Sequence, residues 1–439
     1  MTEIVIQADR DVPLKPARGH VVAWAFWDWG SSAFDTVATT FVFTVYITGS
    51  AFGDKDVISA QLGWALAISG LLIAVLAPIT GQRSDTSGRR KFWLGVNTFV
   101  VVAITACMVF VQAAPDYLLL GLFLVAAGNV FFEFASVNYN AMLTQVSTRS
   151  SIGKVSGFGW GMGYLGGIVL LLIVYFGFIH PEVGLFGVTN ENGLAVRVSM
   201  LISAVWFGLF ALPVLLRAPE YRAPAAARRA RVGFFRSYAV LGHDIMRLWK
   251  TSRPTVFFLV ASAVFRDGLA GIFTFGGVLA ASVFGFSAGE VIIFAIAANV
   301  VAGVATISVG ALDDRLGAKP VIVTALVGLL VSGLMVFFLH DGGQIVFWTA
   351  GLALCLFVGP AQSASRTFLA RLIPPGREGE VFGLYATTGR AVSFLAPLSF
   401  ALMVTTFGET YWGILGIMLV LLLGLLLLLP VKARQEQIG

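Results

Sequence analysis

Residues 81–91 read GQRSDTSGRRK, and residues 310–319 read GALDDRLGAK. Gly81, Asp85, Gly88 and Arg90 of the first stretch stand against Gly310, Asp314, Gly317 and Lys319 of the second, each pair 229 residues apart. A second correspondence sets Gly153, Gly157 and Gly163 against Gly379, Gly383 and Gly389, at an offset of 226. Two offsets this close describe a chain built as two repeats, of the kind related by an axis along the membrane normal. Locally, glycines permit tight turns and close helix approach. An acid at a helix end beside Arg89 and Arg90 can form a latch; the second copy keeps Asp314 with Arg315 and predicts a weaker one.

Outward from these two loops the chain is oily. Of its 439 residues 58% are hydrophobic and only 12% charged, and the mean hydropathy is +0.88. Soluble proteins carry about 25% charged residues, so the composition is that of a membrane protein. Twelve segments approach the roughly 20 apolar residues a crossing needs: about 20–48, 59–80, 92–112, 117–142, 154–178, 195–216, 254–283, 288–311, 320–339, 344–370, 380–407 and 410–430. The fold class expected is all-α, a polytopic membrane protein with twelve transmembrane helices in two six-helix pseudo-repeats. Its parts are a tail at 1–19, a bundle at 20–216, a linker at 217–253 with an amphipathic stretch, a bundle at 254–430 and a tail at 431–439. The tail at 1–19 lacks the order of a secretory signal, so the first span is expected to act as an uncleaved insertion signal.

Of the 29 basic residues, 24 fall on the side that carries both termini, Lys55 alone falls on the other, and four lie within spans. The positive-inside rule then makes both termini cytoplasmic, and a bacterial inner (plasma) membrane is the expected location. The same asymmetry explains the net charge of +6 without nucleic acid. The linker string FFRSYAVLGHDIMRLWK spaces apolar residues helically between basic flanks, as a helix on anionic lipid would; a plain tether between bundles reads equally well. Cys107 and Cys355 sit in apolar runs as core filler, and no Cys/His spacing suggests a metal. No cofactor is expected.

Charges inside the spans cost several kcal/mol at mid-bilayer, so each needs a partner or a function. The acids are Asp28, Asp35, Glu133 and Asp267; the bases are Arg266, Arg366, Arg390 and Arg197. Arg197 and Glu290 stand near span ends, where snorkelling suffices. Asp28 and Asp35 are seven apart, which on an α-helix places them on one face about 10 Å apart. Arg266 and Asp267 are adjacent and face different ways, so Arg266 is expected to seek Asp28, Asp35 or Glu133. Arg366 and Arg390 offer planar forks for a carboxylate, and Asn138 and Asn140 add neutral hydrogen bonds. Trp24, Trp27, Trp29 and Trp160 could wall a pocket or simply pack. The network reads either as structural pairing or as a site for substrate and protons.

The twelve spans, the six-plus-six repeat and the loop at 81–90 resemble the major facilitator superfamily. The strings FWDWGSSAF, VNYNAML, GKVSGFGWGMGYLGG, RDGLAGIFTFGGVLA and ARLIPPGREGEVFGLYATTGRAVSFLAP resemble the vacuolar amino-acid effluxer (autophagy-associated) family and its bacterial members. One departure is Arg266, which stands where that family commonly has asparagine. The resemblance implies the major facilitator fold and a secondary transporter, not an enzyme. It would move a small polar or zwitterionic solute by alternating access, coupled to protons or another ion, with efflux favoured. The glycines of the fifth span, 157 to 167, would let backbones slide there. A monomer in contact with membrane lipid is expected. Alternatives are an exporter of drug-like or lipid-like amphiphiles, and a transport-inactive sensor or scaffold. The absence of a phosphate-binding loop argues against ATP drive, and the four scattered histidines argue against an enzyme.

Overall fold

The computed structural model describes residues 18–87, 89–147, 152–218, 234–372 and 378–431. Every regular element among them is helical. The first half holds α1 (Arg18–Ser32), α2 (Lys55–Ser87), α3 (Arg90–Cys107), α4 (Leu118–Val146), α5 (Ile152–Val174) and α6 (Leu194–Arg217). The helix α7 (Phe234–Thr251) connects it to the second half. That half holds α8 (Arg253–Ser282), α9 (Ala288–Leu316), α10 (Ala318–Phe338), α11 (Leu352–Leu372), α12 (Glu378–Ala391), α13 (Leu395–Phe407) and α14 (Trp412–Leu428). Ten runs are long and apolar enough to cross a membrane. The two other expected crossings differ in kind. The last, α14, is a 17-residue helix, and the first is interrupted.

That interruption begins where α1 passes at Ala33 into a π-helical segment, Ala33–Phe41, followed by the short helix Phe43–Ile47. The hydroxyls of Thr39 and Thr40 both donate to the carbonyl of Asp35, each at 2.7 Å. Hydroxyls that bond back to the preceding turn compete with the backbone ladder, and single π turns in α-helices cluster at functional sites. Val42, at φ −119° and ψ −64°, ends the segment. A second interruption separates α12 from α13 at residues 392–394.

The repeated loops keep glycine for a reason visible in the second copy. Gly317 joins α9 to α10 at φ +86°, a region that side-chain-bearing residues avoid. Gly88 and the side chains of Asp85, Asp314 and Arg315 lie outside the described residues, so the expected latch does too. Gly81 and Gly310 fall within α2 and α9. Arg89 is exposed at the N-cap of α3, and Arg90 opens that helix half-buried.

In α7, Leu248 is buried while Met246, Arg247 and Lys250 are exposed, the one-sided pattern that its spacing predicts. Trp249 packs on Phe257 of α8 with ring centroids 5.3 Å apart, and the Arg253 guanidinium lies 5.7 Å from the Trp249 ring. The helix is thereby fastened to the foot of the second half.

The halves meet where α2 packs on α12 and α13, the π segment on α8, and α5 on α9. Between helices in lipid the driving force is close van der Waals packing, and small residues supply it. A side chain at Gly70 would place its Cβ 2.9 Å from both the Cα of Phe394 and the carbonyl oxygen of Ser393. Toward the end opposite the chain termini, Trp64 Nε1 donates to Thr405 Oγ1 at 3.2 Å, and the Thr410 N–H donates to Asp56 Oδ1 at 2.6 Å. These contacts close that end of the seam.

Candidate functional site

The acid in FWDW is held by the tyrosine in VNYN. Tyr139 donates its hydroxyl to Asp28 Oδ2 at 2.8 Å. Its ring lies between Trp24 and Trp27, with centroid separations of 4.4 and 4.3 Å. Trp24 Nε1 donates to the Tyr139 carbonyl at 3.1 Å, and Trp27 Nε1 donates to Thr98 Oγ1 at 3.0 Å. Both indoles thus bury their rings with the N–H satisfied, as buried tryptophans usually must. Gly159 of α5 leaves the room: a Cβ there would fall 2.8 Å from Asp28 Oδ2 and from Trp24 Cζ3. Gly163 and Gly166 continue the contact along Asp28 and Trp29. The glycines of the fifth span therefore pack α5 against α1 within the first half, with Trp160 turned toward the second.

Asp35 stands on the π-helical segment and is exposed although residues 31–34 and 37–41 around it are buried. Among the described residues no donor reaches its carboxylate. It lies within electrostatic reach of Glu133 and of Asp28, so it faces the space between helices rather than lipid. The step of 100° per residue that places Asp28 and Asp35 on one face stops applying at Ala33, yet the two remain neighbours.

Two contacts cross from one half to the other at this level. Arg390 of α12 donates from Nε to Glu133 Oε2 of α4 at 2.8 Å; the side chains are 14% and 30% exposed, respectively. Neither side chain is fully buried. The Arg366 guanidinium of α11 lies 5.0 Å from the ring centre of Trp160 on α5, a cation–π geometry. Asp28 and Tyr164 are within its electrostatic reach as well.

Arg266 departs from expectation. Its guanidinium covers the Tyr385 ring at 3.9 Å, and Nη1 donates to the Tyr385 carbonyl at 3.2 Å. Tyr385 is in turn 2.7 Å from Ser365 Oγ through its hydroxyl. None of the three expected acids pairs with it among the described residues: Asp28 accepts from Tyr139, Glu133 accepts from Arg390, and Asp35 meets no described donor. Asp267 turns the other way, as adjacency on a helix requires. It is buried, and Oδ2 accepts the Ala396 N–H at 2.6 Å. A carboxylate at the first turn of α13 satisfies an orphan donor there and complements the helix dipole, so Asp267 secures the break between α12 and α13.

Asn138 is buried and donates Nδ2 to the Phe134 carbonyl at 2.9 Å, with Oδ1 unpartnered, while Asn140 is exposed. Arg197 donates to the Val109 carbonyl. Glu290 accepts the Ser287 N–H at 2.7 Å as a cap for α9. Tyr139 and Tyr385 are absent from the sequence-level set of site residues. Both occur inside quoted strings, but nothing in a single sequence distinguishes a ring that orients a charge from one that packs.

Helices alone, an unpaired carboxylate at mid-span and charged contacts between two halves define a membrane transporter of the major facilitator type. Solved structures agree on the fold. A bacterial homologue of the iron transporter ferroportin in an inward-facing state matches with a TM-score of 0.61 at 15% identity, over 95% of this chain and 98% of that one. A D-xylose–proton symporter matches at 0.61 and 14% identity, over 92% and 95%. The chain belongs to the family described as vacuole effluxer Atg22 like, which matches residues 51–437. It is 27% identical over 410 residues to an uncharacterized MFS-type transporter, YxiO, of Bacillus subtilis (strain 168), covering 92% of this chain and 93% of that protein. It is also 27% identical over 308 residues to autophagy-related protein 22 of Cryptococcus neoformans var. neoformans serotype D (strain B-3501A), covering 65% of this chain. The chain spans 53% of that fungal relative's length.

Proposed function

We propose that this transporter exports a small zwitterionic, amino-acid-like solute by alternating access, driven by protons. The observation that carries the reading is the Glu133–Arg390 ion pair, which joins the two halves beside the unpaired Asp35. A solute carboxylate competes with Glu133 for Arg390, aided by Arg366. A solute ammonium is received by Asp35, with Asp28 behind it. Either event weakens the tie between the halves. A proton on Glu133 does the same by removing the negative charge, which gives proton and solute a shared lever on the seam. Asp267 acts behind the chamber, holding the broken helix that presents Arg390, and Arg266 is braced on Tyr385 beside it. Asn138 offers its open Oδ1 as an acceptor, and Asn140 lies nearer the rim.

The moving bodies are residues 20–216 and 254–430, linked by 217–253. The segments that carry Asp85, Arg89 and Arg90 and Asp314 and Arg315, with Gly81, Gly88, Gly310 and Gly317 among them, would form the gate at the terminal end. With both termini in the cytoplasm of a bacterium, as the basic-residue asymmetry supports, the closed end faces outward. Solute would then load from inside, the direction export requires. The coupling ion is the proton, the working unit is a monomer, and α7 rests on anionic lipid.

The test is flux in proteoliposomes loaded with a mixture of radiolabelled amino acids under an imposed pH gradient. Wild-type protein is expected to move at least one amino acid against its gradient, and Arg390→Gln to move none. Equal gradient-driven flux in both would refute the reading.

A further inference from the structure

A cavity of about 310 Å³ opens at the closed end, and none of the charged residues of the proposed solute site lines it. It lies between the halves: Val45, Tyr46 and Lys55 line it from the first, and Ala281, Ser282 and Phe286 from the second. Its size is at the lower bound of small-molecule sites. Two features of its wall are unspent. Ser282 Oγ is buried with no hydrogen-bond partner, a state that costs about 1–3 kcal/mol unless something fills it. Lys55 is the sole basic residue in the loops of this end, and among the described residues no acid pairs with its ammonium.

The neighbouring acids are committed elsewhere. Asp54 Oδ1 accepts the N–H groups of Asp56 and Val57 at 3.0 and 3.1 Å, capping α2. Asp56 Oδ1 accepts the Thr410 N–H at 2.6 Å. Tyr46 spends its hydroxyl on the Val111 carbonyl at 3.0 Å. What remains among the described residues is the Lys55 ammonium, the hydroxyls of Ser282 and Ser50, and an apolar wall of Val45, Ala281 and Phe286.

We propose that this cavity binds a small amphiphilic carboxylate, its head on Lys55 and Ser282 and its apolar body against Val45 and Phe286. The exposed Lys55 ammonium gives a charge-assisted bond, and the Ser282 hydroxyl, whose Oγ is covered in this state, donates the second on turning about χ1. Because the walls come from both halves, the site is whole only while this end is shut. A ligand that requires the shut form stabilises that form. The site is thus a lock on the closed end, separate from the chamber and from its solute.

The experiment is a thermal-shift titration of the full-length protein in detergent with hexanoate, and in parallel with hexan-1-ol and hexylammonium. Hexanoate is expected to raise the melting temperature in a saturable way, as a ligand of the native state does, and the other two are not. Lys55→Gln is expected to weaken hexanoate about tenfold, and Ser282→Ala less, in proportion to a charged and a neutral hydrogen bond. Ala281→Leu, which fills the cavity without touching either polar group, should abolish the shift. Asp28→Asn in the chamber should leave it intact, so failure here is distinguishable from failure of the transport reading. An equal shift with hexan-1-ol, no shift with any probe, or a Lys55→Gln protein that melts like wild type yet binds hexanoate as tightly would overturn the proposal.

Discussion

The seam between the halves has two unlike stretches. Beside the chamber it is bridged by side chains with charge, Glu133 to Arg390 and Arg366 to Trp160, and neither side chain of the ion pair is fully buried. Toward the closed end it is made of close helix approach at Gly63, where an added Cβ would stand 3.0 Å from that of Ala401, and of hydrogen bonds from Trp64 and to Asp56. On the proposed mechanism the first kind answers to protons and to ions that compete for the same guanidinium. The second answers to shape. A rocking transporter needs both, a trigger that chemistry can release and a seal that geometry keeps.

The comparison can be broken most severely at the trigger. Arg390→Ala leaves Glu133 without its cation; with allowance for the pair's exposure this costs about 2–4 kcal/mol. A lower melting temperature and loss of gradient-driven flux are expected together, and near-wild-type melting with normal flux would show the pair to be incidental. At the seal, Gly63→Val forces a side chain onto Ala401 and Phe400, an overpacking cost of about 1–3 kcal/mol. Spin labels placed on the two halves at the closed end should report a wider separation there, with the chamber pair unaffected.

Smaller effects sharpen the contrast. Tyr139→Phe keeps the stack between Trp24 and Trp27 but removes the hydrogen bond to Asp28, worth about 1.5 kcal/mol or more when the acceptor is charged. Its expected signature is an altered pH profile of flux beside a modest fall in melting temperature, whereas a purely structural tyrosine would lower the melting temperature and leave the pH profile unchanged. Trp64→Phe deletes a single bond to Thr405 at the seal, about 0.5–1 kcal/mol. It should speed opening of the closed end without altering pH dependence.

Much of this architecture was legible in the sequence, because membrane insertion is governed by quantities a sequence states outright. Apolar run length gives ten of the twelve expected crossings among the described residues, the distribution of lysine and arginine gives an expected orientation, and the loops at 81 and 310 give an expected repeat. Candidate charges were legible for the same reason, since an acid such as Asp28 amid tryptophans is conspicuous. Their partners were not. Helical spacing describes a helix's own faces, and says nothing of which neighbour meets them or at what height. Hence Arg266 covers Tyr385 rather than an acid, and Asp267 caps α13. The π-helical segment was illegible too. It arises from Thr39 and Thr40 bonding to one carbonyl, a choice made by packing around it and not by the residue types alone.

The most direct measurement replaces Glu133 by glutamine and follows two fluxes in the same proteoliposomes. One is exchange of solute without a pH gradient, and the other is uphill movement driven by the gradient. If Glu133 is where proton and solute share control of the seam, exchange persists in the variant and the gradient no longer drives transport. If uphill movement continues with its wild-type dependence on pH, the pair does not couple anything, and the account of the chamber is wrong.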